Sequence, residues 1–128
     1  MNALLDTHVL LWFLAGDKRL SPVARKFFES RKNELHFSAV SAIEISLKYA
    51  RSKLKLPEKP EQLIPRVIAR LGLKPIFITV QNSLELASLP MHHADPFDRL
   101  LIIQAKQEEL PIITGDKQFR RYGVPIIW

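Results

Sequence analysis

Short apolar runs alternate along this chain with stretches whose apolar residues recur at helical spacing. Ala3-Leu4-Leu5 reads as a buried strand, and Asp6-Thr7 behind it supplies two good helix caps. The helix that follows, about His8 to Ala15, is apolar without a break from Val9 to Leu14 and ends at Gly16-Asp17. One sheet cannot cover a helix that is apolar all round, so further helices or a partner chain must do so. Ser21-Pro22 opens a second helix that continues to Arg31. Leu35 to Ser38 alternates as a second strand. A third helix spans Val40 to Lys53, with Val40, Ile43, Leu47, Ala50 and Leu54 at helical spacing. A charged loop with two prolines leads to a fourth helix, Glu61 to Leu71, in which Pro65 fits only near the first turn or at a kink.

Pro75 to Val80 reads as a third strand, and Asn82 to Leu89 as a short helix capped by Asn82 or Ser83. Asp95-Pro96 starts a longer helix that runs to about Glu109, with Asp95 at the N-cap and Pro96 at the first helical position. Pro111 to Thr114 is a fourth strand, Lys117 to Arg121 a helical turn, and Val124 to Trp128 a last strand. Strands alternating with helices call for a mainly parallel sheet of about five strands covered on both faces. Right-handed crossovers make this a three-layer α/β/α sandwich. No repeat or linker interrupts the pattern, so residues 1–128 are expected to form a single domain. With 47% hydrophobic residues the chain can build a real core.

The absence of cysteine removes disulfides, thiolate zinc sites and cysteine nucleophiles, and it suits a reducing cytoplasm. Val9 to Leu14 is too short to span a bilayer and follows an acid instead of a basic segment, so neither a membrane span nor a secretory signal is expected. A formal charge of +6 favours a polyanionic partner, either nucleic acid or an acidic protein segment.

In a parallel sheet the carboxyl ends of the strands and the amino ends of the following helices share one edge, where ligands bind. Asp6 ends the first strand, and Glu44 lies about one turn into the helix after the second. Asp95 and Asp98 open the helix that returns to the fourth strand, and Asp116 follows that strand. Thus five of the 13 acidic residues map to a single edge. Each has an ordinary explanation by itself. Asp6 caps a helix, Glu44 pairs with Lys48 four residues on, Asp95 and Asp98 share a helix start, and Asp116 closes a turn. Together they repel one another, and a bound divalent cation removes that conflict. Oxygen ligands without thiolate favour Mg²⁺ or Mn²⁺, which lower the pKa of a bound water and stabilise charge on a phosphodiester oxygen. His8, His92 and His93 fall near the same edge and are expected to be structural or to touch substrate. No glycine-rich phosphate loop is present, and the serines near Glu44 lack a base at useful spacing. A phosphoacceptor role for Asp6 is a rival, although Asp6-Thr7-His8 lacks the second aspartate that one such family uses.

Leu4-Leu5-Asp6-Thr7-His8, Ser38-Ala39-Val40-Ser41-Ala42-Ile43-Glu44, Asp95-Pro96-Phe97-Asp98-Arg99 and Ile113-Thr114-Gly115-Asp116 together resemble the PIN-domain family, and within it the VapC-type toxins of bacterial toxin–antitoxin pairs. The resemblance runs from the first strand to the last. It implies a metal-dependent endoribonuclease that hydrolyses RNA phosphodiester bonds with a metal-activated water. Asp6, Glu44 and Asp98 match the three central acids and Asp116 the usual fourth, all as metal-holding and catalytic residues. Asp95 is an additional candidate ligand, ranked below Asp98. Thr7 and Thr114 match the hydroxyl positions that orient carboxylates or water. Gln118 stands where many relatives carry a further acid. A cognate antitoxin and a homodimer are the implied partners. Arg99 is expected to steady Asp95 or another acid through a salt bridge, with a phosphate contact as the alternative. Lys48, Arg51, Lys53, Lys55 and Lys59 form either an RNA path or a solvated face. The alternative to an enzyme is a non-catalytic PIN-like module that binds RNA or protein.

Overall fold

The computed structural model describes residues 1–128. Five strands, β1 (Asn2–Leu5), β2 (Glu34–Ser38), β3 (Lys74–Ile76), β4 (Ile112–Ile113) and β5 (Ile126–Ile127), form one sheet in the order β3-β2-β1-β4-β5. Every pairing is parallel. Six α-helices, α1 (Thr7–Ala15), α2 (Pro22–Glu29), α3 (Ala39–Ala50), α4 (Pro60–Leu71), α5 (Val80–Glu85) and α6 (Pro96–Gln107), and a 3₁₀ turn at Lys117–Tyr122 make the connections. No helix is long and apolar enough to cross a membrane.

Alternation along the strands divides the core in two. Ala3, Leu5 and Ile113 face α1, α2 and α4, where they meet Val9, Leu10, Phe27 and Val67. Leu4 and Ile112 face the other way, toward Leu101, Ile102 and Ala105 of α6 and Phe119 of the 3₁₀ turn. Both faces are therefore covered, as the strand–helix alternation requires. Pro75 sits on the edge strand β3, where its missing N–H costs least.

Of the two expected covers for α1, the chain's own helices supply one: Val9 and Leu10 are buried, and Phe13 stacks on Phe28 of α2 at 4.1 Å. Several other local expectations are corrected. In α3 the buried positions are Val40, Ser41, Glu44 and Ile45, whereas Ile43 and Leu47 are 43% and 41% exposed. The stripe was misread because a wholly buried glutamate occupies a place that periodicity assigns to an apolar residue. β3 stops at Ile76, and α5 begins at Val80 instead of Asn82. Thr79 and Asn82 form a reciprocal capping box there, with the Asn82 N–H donating to Thr79 Oγ1 at 3.0 Å. Pro65 lies in the interior of α4. Its ring and Glu61 are both exposed, so water can satisfy the carbonyl that loses its helical partner.

β1 lies at the point where the connections change direction, with β2 on one side and β4 on the other. A crevice is expected at the carboxyl ends of strands flanking such a reversal. The residues that follow β1 and β4 are Asp6 and Thr114-Gly115-Asp116.

Candidate active site

The register sets the first contact. Leu5 of β1 pairs with Ile113 of β4, so Asp6 and Thr114 emerge side by side. The buried Thr114 hydroxyl donates to Asp6 Oδ2 at 2.7 Å and accepts the Asp116 N–H at 3.0 Å. Asp6 also caps α1, with Oδ1 facing the His8 N–H at 3.4 Å. Asp116 caps the 3₁₀ turn by accepting the Gln118 N–H on Oδ1 at 2.9 Å, which leaves Oδ2 for His93.

From α6, Asp95 accepts the Phe97 N–H at 2.8 Å and Asp98 follows in the first turn, buried. His93 bridges the group. Its Nε2 lies 3.1 Å from Asp98 Oδ2 and 3.1 Å from Asp116 Oδ2. Its Nδ1 accepts the Asp95 N–H at 3.2 Å, which places the proton of a neutral ring on Nε2, pointing at the carboxylates. His93, Asp98 and Asp116 each offer a ligand atom within 4.8 Å of the others.

Glu44 enters from α3 with no exposed surface. Lys48 Nζ donates to its Oε2 at 2.6 Å, while Oε1 is buried without a hydrogen-bond partner. Such an oxygen is expensive unless something fills its place. Asp98 carries the same signal in its proton affinity. Burial, reinforced by the negative charges of Asp6 and Asp95, pushes its carboxyl up to about 7; Glu44 adds to the effect and His93 opposes it. The Asp6 carboxylate, 3.8 Å from His8 Nδ1, raises the pKa of His8. An orphaned glutamate oxygen and an acid held up by its neighbours are what a missing positive charge produces. The donors left to face an ion are carboxylate oxygens, without thiolate, a set suited to a hard divalent cation.

Asp6, Asp98 and Asp116 thus lie together at the crevice, and Glu44 is close enough for its charge to act on Asp98. The tight donor group takes in His93 and not Asp95, whose Oδ1 serves the helix cap. His93 is expected near this edge as a structural or substrate-touching residue, but no spacing marks it as the partner of Asp98 and Asp116; the connection between α5 and α6 carries it to them. Arg99 pairs with no acid. It is buried and donates to the carbonyls of Leu86, Leu89 and Pro90 at 2.9 to 3.1 Å, pinning the segment that carries His93. Thr114 does orient a carboxylate, whereas Thr7 donates to Ser41 Oγ at 2.7 Å instead.

The family model described as the PIN domain matches residues 3–125. The chain belongs to the PIN-domain family. Ribonuclease VapC22 of Mycobacterium tuberculosis is 29% identical over 127 residues, covering 97% of this chain and 94% of the relative. The PIN fold recurs in the structure of VapBC2 from Rickettsia felis bound to a promoter DNA fragment, with a TM-score of 0.70 at 18% identity over 98% of this chain and 97% of that one. FitAcB from Neisseria gonorrhoeae superposes with a TM-score of 0.66 at 21% identity, covering 98% and 96% of the two chains.

Proposed function

We propose that residues 1–128 form one PIN domain that acts as the toxin of a toxin–antitoxin pair, a Mg²⁺- or Mn²⁺-dependent endoribonuclease. The observation that carries this reading is the gathering of Asp6, Glu44, Asp98 and Asp116 at one edge of the sheet with Lys48 as the one lysine or arginine paired to them. The unpartnered Glu44 oxygen and the raised Asp98 carboxyl mark a shortage of positive charge there. Similarity to Ribonuclease VapC22 over nearly the whole chain supports RNA as the substrate. Asp6, Glu44, Asp98 and Asp116 would hold a divalent ion, which when bound would supply activation of water and charge neutralisation at the phosphodiester.

The protein's own part is positioning. Thr114 fixes one oxygen of Asp6, Lys48 fixes one of Glu44, and the His93 Nε2–H holds Asp98 and Asp116 together. Asp95 caps α6 and adds its charge to the field at Asp98. Neighbours of known structure that are toxin–antitoxin complexes support an antitoxin as partner, and a cytoplasmic location follows from that role. We place a homodimer contact on α5, where Val80 and Leu84, one turn apart, are largely exposed beside Phe77.

The decisive assay is cleavage of a mixed RNA pool by purified protein with Mg²⁺ or Mn²⁺, run in parallel with chelator and with Asp98→Asn. Cleavage abolished in both controls is the expected result. Cleavage that persists in Asp98→Asn overturns the site, and binding without cleavage in every sample identifies a non-catalytic module.

A further inference from the structure

A cleft of about 360 Å³ lies between α1 and the connection from α3 to α4. Leu11 and Trp12 of α1 form one wall, and Leu54 and Leu56 of the connection form the other. Four cations, Arg19, Lys48, Lys53 and Lys55, ring this apolar interior. The one acid among the lining residues, Asp17, is already committed, since Arg19 bonds to both its oxygens at 2.7 to 3.2 Å. The same guanidinium lies 5.0 Å over the Trp12 ring.

The cleft opens from the acid centre itself. His8 and Lys48 line it, yet His8 Nδ1 lies 3.8 Å from Asp6 Oδ1 and Lys48 Nζ 2.6 Å from Glu44 Oε2. His8 and Lys48 thus border both the cleft and the acids, so the two sites adjoin.

We propose that this cleft is a nucleobase subsite for the nucleotide adjoining the cleaved phosphodiester, and hence a determinant of where RNA is cut. The inference rests on the ribonuclease reading above. A planar base suits the Trp12 indole, the Arg19 guanidinium over it and the leucine walls, and the lysines suit the flanking phosphates. An acidic peptide would share the charge complementarity, but the indole with its overlying guanidinium and the border shared with the acid centre favour a nucleotide.

The test separates binding from cleavage. Trp12 reports directly in a Trp128→Phe background, so its fluorescence can be titrated with short single-stranded RNA in chelator, where no cleavage occurs. Quenching by RNA, lost or weakened about tenfold in Arg19→Ala and in Lys55→Ala, is expected. Both side chains are largely solvent-facing, so these variants should fold, and circular dichroism checks that they do. With Mg²⁺ present, sequencing of the cut ends should show base preference flattened at one position beside the cut in Arg19→Ala. KM should rise about tenfold while kcat changes less than about twofold. No quenching by any RNA, quenching by an acidic peptide alone, or a cut-site preference unmoved by Arg19→Ala each overturns the subsite. Failure of the ribonuclease reading shows separately, as absence of cleavage by the parent protein.

Discussion

Replacing Asp98 by asparagine tests the electrostatics of the site without reference to activity. The Asp98 carboxyl is buried beside the charges of Asp6, Asp95 and Glu44 and titrates at about 7, against 3.8 for a free aspartate. The folded protein thus retains a proton that the unfolded chain has released. Where the native state binds more protons, stability falls as pH rises. The fall begins near the unfolded pKa and levels off above 7, where both states are ionised. Between pH 5 and pH 7 a single group of this kind removes roughly 2–3 kcal/mol, at about 1.4 kcal/mol per pH unit. Urea unfolding in chelator, from about pH 5 to pH 8, should show this slope in the parent and not in Asp98→Asn. The variant should be the more stable of the two at pH 8. Subtracting the two curves removes the titration of the other groups. Added Mg²⁺ should restore the parent's stability at pH 8 and do little for the variant, because the ion requires the charged carboxylate. Parallel curves for the two proteins in chelator would refute the claim that burial and neighbouring acids strain Asp98.

Other substitutions probe the supports of the site. Lys48→Met leaves Glu44 buried without its one cation and should cost about 3 kcal/mol in urea melts, with Glu44→Gln in the same chain recovering most of the loss. Thr114→Val removes a buried hydrogen bond to a carboxylate, worth about 1.5–3 kcal/mol, and should weaken Mn²⁺ binding about tenfold or more by calorimetry. Arg99→Met releases the carbonyls of Leu86, Leu89 and Pro90; hydrogen exchange should rise first across residues 86–93, ahead of the sheet. Gly115→Ala places a methyl 2.8 Å from the Trp128 ring, between two residues of the site. A loss of about 1–3 kcal/mol is expected, relieved when Trp128→Ala is combined with it.

Much of this protein is legible from residue order alone. Alternating strand and helix periods, with Asp6, Ser21 and Asp95 at helix starts, determine a parallel sheet covered on both faces, because those signals act within a few residues of one another. The convergence of Asp6, Glu44, Asp98 and Asp116 follows from the same topology, since it places every strand's carboxyl end on one edge. Local signals could not assign partners. Glu44 reads either as half of an ion pair with Lys48 or as a charge beside the buried stripe, and the packing of α3 into the core decides for a wholly buried charge with an unfilled oxygen. Arg99 looks like a mate for a neighbouring acid, yet the folded chain brings three carbonyls from the preceding segment to it instead. His93 carries no motif, and reaches Asp98 and Asp116 only because Arg99 and the Asp95 N–H fix the segment and the ring. Sequence determines elements whose causes lie within a turn or a strand. Burial, ring orientation and the sum of charges at one point depend on residues far apart in the chain, so the tertiary structure alone decided them.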